Sequence, residues 1–104
     1  IIPLLLLLLP NVFVKVYGRD DKGQVKLLRT VRRLKRKRDE VIVSLKARHV
    51  SGSTHGMVEL SKAFTRRMRD CRLILEVEGD RVISVAIPRD ANGRFKVRID
   101  GWGR

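Results

Sequence analysis

Cysteine, histidine and paired metal ligands are almost missing from this sequence. Cys71 has no second thiol with which to form an intramolecular disulfide, which fits a reducing compartment. It lies between Asp70 and Arg72 at the start of an apolar run, so we expect a small buried side chain. The two histidines, His49 and His55, have no recognised zinc-ligand spacing with this cysteine. We therefore expect no metal and no other cofactor.

Acidic residues are too few and too scattered to indicate an active site. The pairs Asp20-Asp21 and Asp39-Glu40 fall at predicted loop and helix ends, whereas a two-metal nuclease needs carboxylates that converge in space. Nothing supports a triad built on Ser53 and His55, and no Walker-type Gly-Lys-Ser/Thr motif is present. We expect a protein that is not an enzyme and has no small-molecule substrate.

A hydrophobic run long enough to cross a bilayer is also missing. Leu4–Leu9, inside the apolar segment 1–10, is far shorter than the roughly 20 residues that a membrane helix needs. The basic flank and small-residue cleavage site of a signal peptide do not accompany it. We expect no transmembrane insertion, and a covered position for these leucines against this domain or a partner. Residues 11–104 are expected to form a single domain.

Positive charge dominates what is present. Lys and Arg number 24 against 11 Asp and Glu, which gives a formal net charge of +13 and a pI near 11.3. A surface stabilised by ion-pair networks would carry both signs in balance. An excess of one sign indicates a polyanionic partner, because cations that neutralise phosphates release condensed counterions. DNA or RNA is therefore the expected partner.

The apolar pattern predicts an α+β domain. Strands are expected where apolar residues alternate, and helices where they recur at a spacing of three to four. The predicted strands are Val12–Tyr17, Val41–Ala47, Leu73–Glu78 and Arg81–Ile87, with Phe95–Ile99 as an extra terminal strand, and the predicted helices are Gln24–Arg38 and Met57–Arg69. The order β-α-β-α-β-β with right-handed crossovers places both helices on one face of a mixed sheet, a two-layer sandwich.

The first predicted helix is dense in cations. Residues 26–38 contain eight basic residues and no acidic one. Pairs at i,i+4, such as Arg29 with Arg33 and Arg32 with Arg36, would destabilise an isolated helix. A solvated helix face is the alternative reading, but a bound polyanion would offset the repulsion. The candidate nucleic-acid-binding residues of this segment are Arg29, Arg32, Arg33 and Arg36.

A small-residue loop, Ser51–Gly56, precedes the second predicted helix. Gly and Ser let a backbone approach closely, and free N–H groups at a helix start could bind a phosphate beside Arg48 and His49. The alternative is an ordinary helix cap by Ser53 or Thr54.

Aromatic residues are sparse, but two of them share a strand face. Phe13, Lys15 and Tyr17 alternate along the first predicted strand. Proteins that bind single strands stack bases on such side chains. If both helices cover the opposite face, this face is open to RNA; packing of Phe13 in the core is the alternative.

The element order, together with particular residues, resembles the Alba family of small basic chromatin and RNA-binding proteins. The likeness is clearest over Glu40–Arg69, where EVIVSLKAR and a basic-ended helix resemble the family's strand ending in Lys-Ala-Arg and its second helix. Asn11–Val14 resembles the opening strand. His49-Val50 stands where the family usually has Gly-Arg, and the loop after the first strand lacks the family's paired lysines and proline.

The resemblance implies a homodimer with nucleic acid lying across both subunits. The central contact would come from the loops after the first and second strands, with Arg19, Lys22, Lys46 and Arg48. A β-hairpin arm that reaches into the minor groove would correspond to the turn Asp90–Gly93, with Arg89, Arg94 and Lys96 around it. The arm could instead be reduced to Gly79-Asp80.

Together these patterns predict a nucleic-acid-binding protein that grips the phosphate backbone largely without regard to sequence, in an architectural, chromatin or RNA-binding role. Its expected location is the cytoplasm, in association with a nucleoid or a ribonucleoprotein. One alternative is a structural protein of a ribonucleoprotein such as the ribosome. A second is a peripheral membrane protein anchored by Leu4–Leu9 and the basic helix.

Overall fold

The computed structural model describes residues 12–32 and 35–102, which form eight strands and two short helices. The strands are β1 (Val14–Arg19), β2 (Val25–Val31), β3 (Lys35–Lys37), β4 (Glu40–Leu45), β5 (His55–Leu60), β6 (Arg72–Val77), β7 (Asp80–Ala86) and β8 (Phe95–Ile99). The helices are α1 (Ala47–Val50) and α2 (Lys62–Arg67). Leu4–Leu9 and Arg33 lie outside the described residues.

The first sheet has the strand order β2-β1-β5-β8, and all its neighbours are antiparallel. The β1–β2 turn forms because the Asp20 carboxylate accepts hydrogen bonds from the backbone N–H groups of Lys22 (3.0 Å) and Gln24 (2.8 Å). Val14 and Val16 of β1 are buried, so the residues between and beyond them point away from the core.

The second sheet is mixed, with the order β3-β4-β6-β7. Strands β4 and β6 are parallel, while β3 and β7 pair antiparallel at the two edges. The β6–β7 turn has positive φ at Glu78 (51°) and Gly79 (84°), the pattern of a type I′ hairpin. The turn therefore lies one residue before the predicted Gly79-Asp80 connection, and Asp80 already pairs with Val77.

One apolar core joins the two sheets. Val14 and Val16 from the first sheet share it with Val43 and Leu75 from the second, and Phe64 of α2 closes one side. Cys71 belongs to this core and is buried, as the sequence predicted. The α+β class, the mixed sheet and the terminal strand β8 are confirmed.

The predicted helix Gln24–Arg38 is wrong, because the segment forms β2 and β3. A β-bulge explains the helical spacing of its apolar residues. Arg29 pairs with Val16 and Leu27 pairs with Tyr17, so Leu28 is the extra residue of the bulge. Leu28 packs against the core and Val31 is buried in it, three residues apart, while Leu27 faces outward. Strand geometry also removes the i,i+4 repulsion between cations that a helix would impose.

The predicted helix Met57–Arg69 is also wrong in its first half, which is strand β5. Val58 and Leu60 alternate into the core there. The helix α2 starts only after Ser61, whose hydroxyl accepts a hydrogen bond from the backbone N–H of Phe64 at 3.2 Å. The small-residue loop therefore leads into a strand, and neither a phosphate at a helix start nor a cap by Ser53 or Thr54 arises at that place.

Candidate nucleic-acid interface

Arg29 connects the two sheets on the side of the edge strand β2. Strand β3 pairs only with Glu40, Val41 and Ile42, which leaves the far half of that β4 edge open. The Arg29 guanidinium donates a hydrogen bond to the Ser44 carbonyl at 3.1 Å in that half. The side chain is half-buried, and its cation is held next to the end of β4.

The short helix α1 follows β4 and contributes the neighbouring cations. The Lys46 backbone N–H donates to Nδ1 of His49 at 3.0 Å, and the His49 N–H donates to the Lys46 carbonyl at 2.8 Å. Helix α1 contacts β2, so the exposed Lys46 and Arg48 lie beside Arg29. We call Arg29, Lys46 and Arg48 the basic cluster.

His49 reports the electrostatic potential of the basic cluster. Burial lowers the pKa of His49 below its ordinary value of 6.5, and the charges of Arg29, Arg48 and Lys46 lower that pKa further. The Glu78 carboxylate, which accepts the Ala47 N–H at 2.8 Å, acts on the pKa in the opposite direction. The neutral form is thus favoured in the folded state, so this contribution to stability is present above pH 6.5 and is lost as the pH falls through the lowered pKa.

Replacing Arg48 by Gln should raise the pKa of His49, because one of the cations that oppose its protonation is removed. An NMR titration of the His49 ring measures this directly. Arg89→Gln is the matched control, since Arg89 pairs with Asp70 at 3.0 Å and does not act on His49. If the pKa of His49 were the same in Arg48→Gln as in the wild-type chain, the charge of Arg48 would not act on His49. The cations of the basic cluster would then not lie close together.

The outward side of the first sheet carries a second group of cations. Lys15, Tyr17 and Arg19 alternate with the buried residues of β1, and Arg98 is exposed on β8. Among the described residues, Lys15, Arg19 and Arg98 form no ion pair. We call this side of the sheet the open face. Its residues include Lys15, Tyr17, Arg19, Val25, Leu27, Met57 and Arg98.

The outward side of β6 and β7 in the second sheet is different, because the cations Arg72 and Arg81 there are engaged. Arg81 lies 3.8 Å from a Glu40 carboxylate oxygen and 3.9 Å from one of Glu76. Arg72 donates to the carbonyl and the hydroxyl of Ser84 at 3.3 and 3.2 Å. Of the two outward sheet surfaces, the first therefore carries the cations without described ion pairs, and the cations on β6 and β7 are engaged.

The structure brings together some of the candidate residues predicted from the sequence. Lys22 is exposed in the β1–β2 turn beside Arg19, and Arg32 is exposed just after β2. Arg36 lies on β3. Lys96 is on the outward side of the first sheet but pairs with Glu59 at 3.7 Å.

The predicted arm residues lie elsewhere. Arg89 pairs with Asp70, and Arg94 is exposed in the loop before β8. That loop is tied to the domain, because Arg69 donates to the Ala91 carbonyl at 2.9 Å. The alternative arm at Gly79 is a tight hairpin turn.

Sequence reasoning did not name Arg98 as a binding candidate, and it named Lys15 only as part of the strand face with Phe13 and Tyr17. The signal was present, since each is the cationic, outward-pointing residue of a strand with clear alternation. Phe13 packs against the core, which was the alternative to an open aromatic face. Its ring stacks on Phe64 with centroids 5.3 Å apart, and the Arg67 guanidinium lies 5.9 Å from the centre of the Phe13 ring. Tyr17 remains on the open face.

Within residues 12–32 and 35–102 there is no cluster of metal-ligating side chains. No helix in the described part of the chain is long and apolar enough to cross a membrane. The region that resembles the Alba family, Glu40–Arg69, forms β4, α1, β5 and α2 instead of one strand followed by one helix. Comparison with protein-family models, with curated proteins and with solved structures finds no match to this chain.

Proposed function

We propose that this chain binds nucleic acid through the phosphate backbone, using the basic cluster and the cations of the open face. The observation that carries the proposal is the uneven distribution of ion pairs. Arg72 and Arg81 on the outward side of β6 and β7 are hydrogen-bonded or paired. By contrast, Lys15, Arg19 and Arg98 on the open face form no described ion pair. Like charges held close together repel, and an array of phosphates relieves that repulsion.

Phosphate contacts position a protein on a nucleic acid without reading its sequence. The exposed ends of Lys46 and Arg48 suit that kind of contact, because neither side chain is committed to a described acidic partner. Arg29 lies beside them, because its guanidinium donates a hydrogen bond to the Ser44 carbonyl at the end of β4. The expected recognition is thus directed at the backbone and largely independent of sequence.

The peripheral-membrane alternative needed two anchors, Leu4–Leu9 and a basic helix, and the structure has no such helix in its described residues. It required an amphipathic basic helix over Gln24–Arg38, and the described part of that segment is strand. The nucleic-acid proposal does not depend on a helix there, because Arg29 joins Lys46 and Arg48 in the basic cluster from its position on strand β2.

Salt dependence tests the proposal. The affinity of the intact chain for a fluorescent oligonucleotide should fall steeply with salt, with a log–log slope of about 0.9 per phosphate neutralised on duplex DNA and about 0.7 on a single strand. Anisotropy measurements with several unrelated sequences should give similar affinities. A flat salt dependence, or no binding at low salt, would reject the proposal.

A further inference from the structure

We infer that the open face accepts unpaired bases, so that the substrate class of this chain is single-stranded nucleic acid. The inference rests on the proposed function and deepens it. The basic cluster and the cations of the open face would bind phosphates. The apolar and aromatic residues between those cations have no role in binding phosphates. Those residues are the reason to assign bases to this face.

Four outward residues form a row across the whole sheet. Tyr17 of β1 pairs with Leu27 of β2 on one side and with Met57 of β5 on the other. Met57 in turn pairs with Arg98 of β8. Directly paired residues share a face, and adjacent strands lie about 4.8 Å apart, so the row is roughly 14 Å wide.

Part of this row is exposed, although folded proteins usually bury large apolar side chains: Leu27 is exposed, while Tyr17 and Met57 are half-buried. Leu27 is 50% exposed, and Val25 beside it is 55% exposed; these are the exposed large hydrophobic residues of the described chain. A groove of about 340 Å³ is lined by Tyr17, Met57 and Arg98 of the row and by Arg19 and Val25 beside it. Apolar surface on one flat patch indicates a binding site, and a planar base is a ligand that fits it.

The charges around the row match a single strand whose bases lie on it. Arg19 lies one row beyond Tyr17 and Lys15 one row before it, and Arg98 ends the row itself. In the Lys15 row, Glu59 pairs with Lys96 and reduces the positive charge there. Asp100 also lines the groove, at its β8 end. Phosphates are therefore expected at Lys15, Arg19 and Arg98, the cations around the row that form no described ion pair.

A duplex satisfies this face less well than a single strand. Its bases are stacked on one another, so only phosphates and sugars would meet Tyr17, Leu27 and Met57, and the apolar row would gain no stacking partner. An unpaired strand provides both parts, because its phosphates reach the cations while its bases cover the row.

The test compares three probes of equal length: an oligothymidylate, an abasic strand with the same phosphates, and a duplex. Wild-type chain should bind the oligothymidylate about tenfold more tightly than the abasic strand, as base stacking on aromatic residues predicts. Tyr17→Ala should remove that difference and leave the affinity for the abasic strand unchanged. Tyr17→Phe, which keeps the ring and loses the hydroxyl, should retain it.

Cross-linking keeps the test decisive if Tyr17→Ala does not fold. Ultraviolet cross-linking of wild-type chain to an iodouracil-containing strand should place the adduct on Tyr17 or Met57. Equal affinity for thymidylate and abasic strands, or adducts only away from the open face, would overturn the inference and leave the proposed function standing. Failure to bind any probe would reject both. Self-association through Leu27, abolished by Leu27→Lys without loss of strand binding, would also overturn it.

Discussion

Alanine at both Lys46 and Arg48 should weaken nucleic-acid binding about 50-fold at about 0.1 M salt and reduce the log–log salt slope by about 2. Each cation that neutralises a phosphate contributes to that slope. Lys46 immediately precedes α1 and Arg48 belongs to it, and α1 contacts the strand β2 that carries Arg29. The fold should be retained, because α1 uses the backbone of Lys46, whose N–H donates to His49 and whose carbonyl accepts from it.

The matched control removes the same number of charges from cations that already have acidic partners. Arg81→Gln with Arg89→Gln changes the net charge equally, but Arg81 pairs with Glu40 and Glu76, and Arg89 pairs with Asp70. This control should alter the affinity far less. Equal losses in the two double variants would mean that overall net charge, not the position of the cations, determines binding.

Replacing Gly56 by alanine should destabilise the fold by about 3 kcal/mol, the cost of displacing a large packed aromatic side chain. A Cβ at Gly56 would lie 2.0 Å from Cζ2 of Trp102. Trp102 is 7% exposed, and its indole N–H donates to the His55 carbonyl at 2.9 Å. The ring cannot stay over β5 once that methyl group is present, so it must leave the core together with its hydrogen bond.

A double-mutant cycle separates this clash from other effects of the substitution. Trp102→Ala alone should cost about 3 kcal/mol. Gly56→Ala added to Trp102→Ala should cost under about 1 kcal/mol, because the clash no longer exists. Urea unfolding of the four proteins gives the coupling free energy. Additive losses would contradict the packing of Trp102 on Gly56.

Local alternation was sufficient to predict several elements. Phe95–Ile99 is a strand with the predicted bounds, and the strand predicted at Leu73–Glu78 matches β6 to within one residue. These segments alternate or are continuously apolar, and glycine-containing turns border them. Gln24–Arg38 could not be recognised in the same way, since the bulge at Leu28 gives a strand the spacing of a helix.

The candidate site was predictable in its residue types but not in its arrangement. Lys46 and Arg48 stood out in the sequence, and Arg29 was chosen for a helix face that does not exist. The cluster forms because β2 contacts α1, a pairing between residues far apart in the chain. The open face depends on the same kind of information, as Tyr17 and Met57 meet only through the β1–β5 register.

Amide hydrogen exchange of the intact chain, with and without a short oligothymidylate, tests most directly whether one side of this domain binds the nucleic acid. Binding should slow exchange in β1, β2, β5 and α1, the elements that carry the open face and the basic cluster. Slowed exchange confined to β6 and β7, or spread evenly over both sheets, would contradict the account.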